Sequence, residues 1–517
     1  MQKREFSIVS RQTGWILAKN PLACIYKSRK CCYNKRRIVG SRKEVSNMSF
    51  AKGRRAIDMT SGPLLGKIIL FVLPLMATNL LQTFYNAADM MIVGLSPEPD
   101  AVGAVGSTSA FLNLVVNIFI GIAVGADVIV ARCIGAGDSK KASAAVHTSV
   151  CMSLILGVAG GLVGFALSEP VLVAMGYEGK LLQLGVRYAR IYFGCLPFLS
   201  MTNFLSAIMR AKGDTHTPLY VMLGAGLLNV GLNLFFVLVC RLSVEGVAIA
   251  TAISNATSAA VLWYVLSRDE GPCRISLRRL RISGGVSREI LLIGLPAGVQ
   301  NAFFSLSNML IQTAILQIDT AVTPAGSAYA PVIKANSAGA SIEGFVFTAL
   351  NSLMQAASTF TSQNVGKGDY KRVRRVFGTV CLISSVLAVV LSAAIVLLRQ
   401  PLYALYDVRD LGDTLSTIAY DTAMKRVWYK WTPFILFGLM NSAAGVLRGL
   451  GRSLMSASFS LVGTCVFRVV WIYTVFKIFP TLESIYLSYP ISWMLTGSAF
   501  FIAVGVLLKG RIRETAQ

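Results

Sequence analysis

The stretch FLNLVVNIFIGIAVGADVIVA, residues 111–131, decides the class of fold, because its 21 positions contain one charged residue, Asp127. A helix of about 20 mostly apolar residues spans the hydrocarbon core of a bilayer. Since the core offers no water to bond the backbone, an apolar run of this length must be helical. Similar runs follow one another through residues 68–508. The sequence therefore predicts an all-α membrane protein with twelve transmembrane helices.

The composition agrees with that prediction. Charged residues make up 14% of the 517 residues, whereas soluble domains contain about 25%. A net charge of +25 could indicate a protein that binds nucleic acid. However, 16 of the 49 lysines and arginines lie in residues 1–67, and most others lie in short loops. This distribution indicates contact with the lipid bilayer and no nucleic-acid partner. With two histidines and no visible catalytic cluster, the chain is predicted to be neither an enzyme nor a histidine-based metalloprotein.

The basic loops also predict the orientation. Twelve spans with both termini in the cytoplasm place most loop cations on the cytoplasmic side of a multi-pass protein of the plasma (inner) membrane. Five cations beside spans four and ten break this rule, span ten being expected to begin near residue 427. We expect these five to reach the outer interface: Arg187, Arg190, Lys425, Arg426 and Lys430.

The halves of the chain repeat one another. PLMATN (74–79) matches PAGVQN (296–301), and IGAGD (134–138) matches VGKGD (365–369). Six spans per half is an even number, so both copies have the same orientation, as in transporters with a binding cavity between or within two bundles. We expect two pseudo-symmetric six-helix bundles, residues 58–267 and 289–508. A cytoplasmic linker (268–288) joins them, and cytoplasmic tails (1–57 and 509–517) flank them.

The basic N-terminal tail has three interpretations: it contacts anionic lipid, it is disordered, or it precedes a true translation start at Met48 or Met59. Residues 1–47 contain no apolar run long enough to span a bilayer. Deleting them should therefore leave membrane insertion and transport intact. Normal expression combined with lost transport would show that the tail has a role.

Several short motifs recur in a characteristic order: MTSGP (59–63), FVLP (71–74), FYNAADMMIVG (84–94), ARCIGAGD (131–138), MRAKGD (209–214), GVAIAT (246–251) and QNVG (363–366). Together they resemble the MATE (multidrug and toxic compound extrusion) transporters, over residues 58–508. The resemblance implies two lobes in a V that alternate access. It also implies export of amphipathic, often cationic, small organic molecules in exchange for inward H⁺ or Na⁺, without another cofactor.

Asp89 is the first candidate for ion coupling, because an acid inside the bilayer is costly and usually functional. The family's N-terminal cation site has an acid at this motif position, and the resemblance adds Asn229 and Thr251. Asn233 stands where some members have a second acid, on the same helical face as Asn229. We expect these four to form an oxygen cluster for H⁺ or Na⁺, with one negative charge fewer than the site of the members that have the second acid. Na⁺ at Asp89 is the one metal ion considered, and structural hydrogen bonds between helices are the alternative.

Glu343 in span eight is the second candidate, with Arg468 in span eleven at a similar depth. An unpaired arginine in lipid costs about 2.5–3.5 kcal/mol or more, so we expect the two to face each other, as a static or a switchable ion pair. A site that another branch of the family builds in spans seven and ten is absent, because Phe304 and Phe437 occupy its positions. Asp127 is expected to form an interfacial pair with a loop cation.

Aromatic and methionine side chains in spans one and seven are candidates to line a substrate cavity, although ordinary packing explains them equally well: Phe84, Tyr85, Met90, Phe303, Phe304 and Met309. Export of organic solutes by a monomer is the preferred function. A flippase for lipid-linked precursors is the alternative, and it would need several cations in the cavity to hold phosphates.

Overall fold

The computed structural model describes residues 56–98, 100–323 and 330–516, so nearly all of the predicted basic tail lies outside the described residues. The first half contains six spans, in chain order: span 1 (Leu64–Val93), span 2 (Ala101–Gly135), span 3 (Ser139–Ala174), span 4 (Gly179–Gly194 and Leu196–Lys212), span 5 (His216–Leu234, extended by the π-helical Phe235–Val239) and span 6 (Val244–Ser267).

The second half contains six more: span 7 (Gly284–Val322), span 8 (Pro331–Lys367), span 9 (Tyr370–Leu397), span 10 (Thr414–Arg426, the π-helical Val427–Trp431 and Ile435–Gly449), span 11 (Ser453–Ser460, Leu461–Val466, Phe467–Tyr473 and Val475–Ile478) and span 12 (Leu482–Ala516). A 3₁₀ turn (Leu277–Arg279) lies in the linker and a short helix (Arg399–Ala404) precedes span 10.

Within the described ranges, nine helices are long and apolar enough to cross a membrane, and the two pieces of span 4, bent by 47°, make a tenth. Span 8 has 37 residues but is richer in polar side chains, and span 10 is divided by a π-helical segment. The predicted twelve-helix, all-α fold is confirmed. Residues 509–516, expected to form a cytoplasmic tail, are helical and continuous with span 12.

The repeated glycine–aspartate motif forms the turn between consecutive helices. Gly137 and Gly368 have φ of 70° and 80°, a left-handed conformation that glycine adopts without steric cost. The next residues, Asp138 and Asp369, cap the following helices by accepting from the backbone N–H of Lys141 (3.0 Å) and Arg372 (2.8 Å). The sequence repeat is thus a repeat of one local structure, a helix end followed by an N-cap.

Span 2 contacts spans 7 and 8 across the two halves, and span 1 contacts span 8. Glycines bring spans 2 and 7 together. A Cβ atom added to Gly298 would lie 2.9 Å from the Cα of Ile118, and one added to Gly294 would lie 2.9 Å from the carbonyl oxygen of Gly121. Such close backbone approach is how small residues pack membrane helices.

We call one end of the helices the basic end. It carries the turns after spans 2, 4, 8 and 10 and the linker between the halves. The linker is bound to span 3, since the backbone N–H groups of Ser276 and Ser283 donate to His147 Nε2 and Thr148 Oγ1, each at 3.1 Å.

Candidate functional site

Spans 1, 5 and 6 bring the four predicted polar residues of the first half together. Asn233 Nδ2 donates to Asp89 Oδ1 at 2.5 Å and to Asn229 Oδ1 at 3.3 Å. Asn229 Nδ2 in turn approaches Thr251 Oγ1 at 3.5 Å. The four-residue spacing of Asn229 and Asn233 on one helix explains the arrangement, because side chains at i and i+4 share a face. We call these four residues the Asp89 cluster.

The charge of Asp89 has only neutral partners. Within the described part of the chain no lysine or arginine nitrogen lies within 4 Å of its carboxylate. Asn233 is fully buried, and its Oδ1 has no hydrogen-bond partner among the residues that the structure describes. A partly buried carboxylate beside an unused amide oxygen favours a proton or a small cation, since burying an uncompensated charge is costly.

Glu343 is bound by Arg426 and Lys430 rather than by Arg468. Its Oε1 accepts from Arg426 Nε at 3.0 Å and its Oε2 from Lys430 Nζ at 2.6 Å. Side-chain exposure of all three is 4% or less. The prediction that Arg426 and Lys430 reach the outer interface is therefore wrong. Span 10 begins at Thr414, so these two cations lie inside it instead of preceding it.

Arg468 lies in the same buried region but has other partners, so the predicted direct pair with Glu343 is wrong. Its Nε donates to Ser492 Oγ at 3.1 Å, and its guanidinium carbon lies 4.2 Å from the centre of the Tyr489 ring. Lys430 Nζ lies 3.6 Å from the centre of that ring. Cation–π contact thus replaces the expected carboxylate, and Tyr489 links Arg468 to the ion pairs.

Two further contacts complete this group. Arg426 also donates to Asn336 Oδ1 at 2.5 Å, and the hydroxyl of Tyr486 donates to the same oxygen at 2.8 Å. We call the seven residues the second-half cluster: Asn336, Glu343, Arg426, Lys430, Arg468, Tyr486 and Tyr489. It holds three cations and one carboxylate. The spacing of Arg426 and Lys430 was the signal in the sequence that could have revealed it.

Asp127 lies buried in the contact between the halves and not at an exposed interface as expected, and Arg210, at the end of span 4, is the cation that interacts with it electrostatically. It is 2% exposed, and Oδ2 accepts from Thr359 of span 8 at 2.7 Å. Arg132 instead donates to the carbonyl oxygen of Gly449 at 3.2 Å. Gln363 Nε2 donates to that of Ala211 at 2.7 Å. These bonds join the halves at the basic end.

The six cavity candidates divide into two groups. Phe84, Phe303 and Met309 are open, with exposures of 56%, 40% and 65%, and the Phe84 ring lies 5.2 Å from that of Phe345 on span 8. The other three, Tyr85, Met90 and Phe304, are partly buried. Tyr85 packs on Gly226 of span 5 and Met90 on Gly106 of span 2.

Comparison with known proteins gives a consistent result. The MatE family model matches residues 74–235 and 296–474, one stretch in each half. The chain is similar to the probable multidrug resistance protein YoeA of Bacillus subtilis, with 26% identity over 76% of this chain and 82% of the relative. It is also similar to the probable multidrug resistance protein NorM of Thermotoga maritima, with 27% identity over 66% of this chain and 72% of the relative.

Solved structures share the fold. One is an outward-facing multidrug resistance MATE family transporter of the MOP superfamily, with a TM-score of 0.78 and 21% identity over 88% of this chain and 98% of the other. Another is a MATE protein in its bent conformation, with a TM-score of 0.78 and 21% identity over 87% of this chain and 97% of the other.

Proposed function

Because the chain belongs to the MATE family of membrane transporters, we propose that it is a multidrug exporter. It would move amphipathic, mainly cationic organic compounds outward by alternating access, in exchange for H⁺ or Na⁺ moving inward. The names of its curated relatives, which are multidrug resistance and export proteins, support this proposal.

One observation carries the coupling mechanism: the Asp89 carboxylate accepts a hydrogen bond from the Asn233 amide but has no cation within 4 Å among the described residues. Binding of H⁺ or Na⁺ cancels its charge and weakens the hydrogen bond from Asn233, which joins span 1 to span 5. An ion can drive a conformational change only by binding one state better than the other. A site whose neutralisation alters a contact between spans meets that requirement.

The second-half cluster is proposed as a structural element and not as a coupling site. Both oxygens of Glu343 already pair with cations, so its charge is compensated and H⁺ or Na⁺ would have to displace one of them. Its three cations are also buried and occupied, so they offer no charge to the phosphates of a lipid-linked precursor. This supports drug export over the flippase alternative.

We also propose that the basic end faces the cytoplasm, with both termini on that side of the plasma (inner) membrane, because basic loops flank membrane helices on the cytoplasmic side. The bonds that join the halves at the basic end support the proposal that cytoplasmic access is closed in this arrangement. A monomer contains both halves and is proposed as the transporting unit.

Uptake of a fluorescent organic cation into everted vesicles tests the proposed function. Uptake should follow an imposed pH gradient or an imposed Na⁺ gradient and should stop when that gradient is collapsed. Uptake indifferent to both gradients would rule out antiport.

A further inference from the structure

The segment that precedes span 1, residues 57–62, contacts both halves of the protein. At one end, the backbone N–H of Ile57 donates to the carbonyl oxygen of Gly213, the residue directly after span 4, at 3.0 Å. Two residues later, Met59 is fully buried and packs with hydrophobic residues of the second half. The chain therefore crosses from one half to the other within a few residues, at the basic end.

Side chains of spans 8 and 9 donate hydrogen bonds to the carbonyl oxygens of this segment. Arg372 donates to the carbonyl oxygens of Met59, Ser61 and Gly62. Asn364 Nδ2 donates to the carbonyl oxygen of Met59 at 3.2 Å, and Lys367 Nζ donates to that of Thr60 at 3.1 Å. Arg372 is 6% exposed and Asn364 is fully buried, so charge-assisted bonds in this place are strong.

The segment is also folded on itself. Asp58 Oδ1 accepts from the backbone N–H of Thr60 at 2.8 Å. Lys67, in the first turns of span 1, donates to the carbonyl oxygens of Asp58 and Ser61 at 2.7 and 2.9 Å. Gly62, with φ of 64°, turns the chain into span 1 in a conformation that glycine tolerates.

We propose that residues 57–62 act as a strap that holds the basic end closed, an inference that rests on the proposed alternating-access function. Five hydrogen bonds attach the strap to spans 8 and 9, and one backbone bond attaches it to Gly213. When the basic end opens, the single bond to Gly213 breaks and Ile57 parts from it to admit substrate. The strap stays joined to span 1, through Lys67 and the chain itself, and to spans 8 and 9.

Two native methionines supply a matched pair of variants. A chain that starts at Met48 keeps the strap, whereas one that starts at Met59 loses Ile57 and its bond to Gly213. Arg372→Gln removes the main anchor on the other side, and Arg374→Gln, at an exposed position on the same helix, is its control. Each variant carries Thr359→Cys as a reporter, in a background whose native cysteines are replaced by alanine. Thr359 is fully buried, and its bond to Asp127 lies between the halves, so every variant is compared with a parent that carries the same reporter.

The measurement is the rate of maleimide labelling of the reporter in lipid nanodiscs, where the reagent reaches both faces. The Met59 start should label about tenfold faster, the factor expected when one net hydrogen bond of the closed state is lost. Arg372→Gln removes three bonds to the strap and should label at least as fast. The Met48 start and Arg374→Gln should label at the parent rate. If the Met59 start does not fold, the labelling rate of Arg372→Gln relative to Arg374→Gln tests the strap by itself.

Equal labelling of Arg372→Gln and Arg374→Gln, with both folded, would overturn the strap. Labelling needs no substrate and no ion gradient, so this result is separate from the vesicle test. Faster labelling without gradient-driven uptake would uphold the strap and contradict antiport.

Discussion

Replacing Asp89 by asparagine should abolish gradient-driven efflux of organic cations while leaving the protein folded. An asparagine has the same shape, and its oxygen can still accept the hydrogen bond that Asn233 donates to Asp89. It carries no charge to neutralise Na⁺ and no titratable proton. The measurement is uphill transport in everted vesicles, with expression and gel-filtration profile confirming folded protein.

Glu245→Gln is the matched control, since it also exchanges a carboxylate for an amide. Glu245 lies at the start of span 6 and pairs with Arg187, a largely exposed arginine, at 3.2 Å. Exposed pairs contribute about 0–1 kcal/mol, so this variant should transport almost normally. Undiminished uphill transport by Asp89→Asn would remove Asp89 from the mechanism.

Replacing Glu343 by glutamine should be the most destabilising of the substitutions considered. It leaves Arg426 and Lys430 buried in the second half without their shared carboxylate. Breaking a buried ion pair by removing one partner costs about 3–5 kcal/mol. We expect a large drop in the thermal midpoint of the detergent-solubilised protein, measured by scanning fluorimetry.

A second substitution added to Glu343→Gln shows which cation depends on the Glu343 carboxylate. Adding Lys430→Met to Glu343→Gln removes one of the stranded charges and should recover part of the stability. Adding Arg468→Gln should not, because Arg468 is held by Ser492 and Tyr489. The reverse result would contradict the observed pairing. A stable Glu343→Gln/Lys430→Met protein that fails to transport would show that this cluster is more than structural.

Hydropathy alone predicted most of the fold, because partition of a helix into lipid depends on its own composition. The Asp89 cluster was also predictable, since two of its members share a helical face and a motif placed the others. The strap was not: its motif, MTSGP, was recognised, but the bonds from Arg372 depend on how spans 8 and 9 pack beside it.

The failures have physical causes. The partner of Glu343 depends on the rotation of span 10 about its axis, which the π-helical segment Val427–Trp431 alters. The position of Asp127 depends on which end of the transporter is closed, a property of a conformational state. Local hydrophobicity predicts neither the rotation of a helix about its axis nor which end of the transporter is closed.

The central claim, that ion and substrate fluxes are coupled through Asp89, is tested most directly by the reverse exchange. Proteoliposomes are loaded with an organic cation that is exported by the wild-type protein, and H⁺ and Na⁺ fluxes are followed after dilution into substrate-free buffer. The account predicts that the outward substrate gradient drives inward movement of one of the two ions in the wild-type protein and in Glu245→Gln, and none in Asp89→Asn. Equal substrate-driven ion flux in Asp89→Asn and the wild-type protein would contradict it.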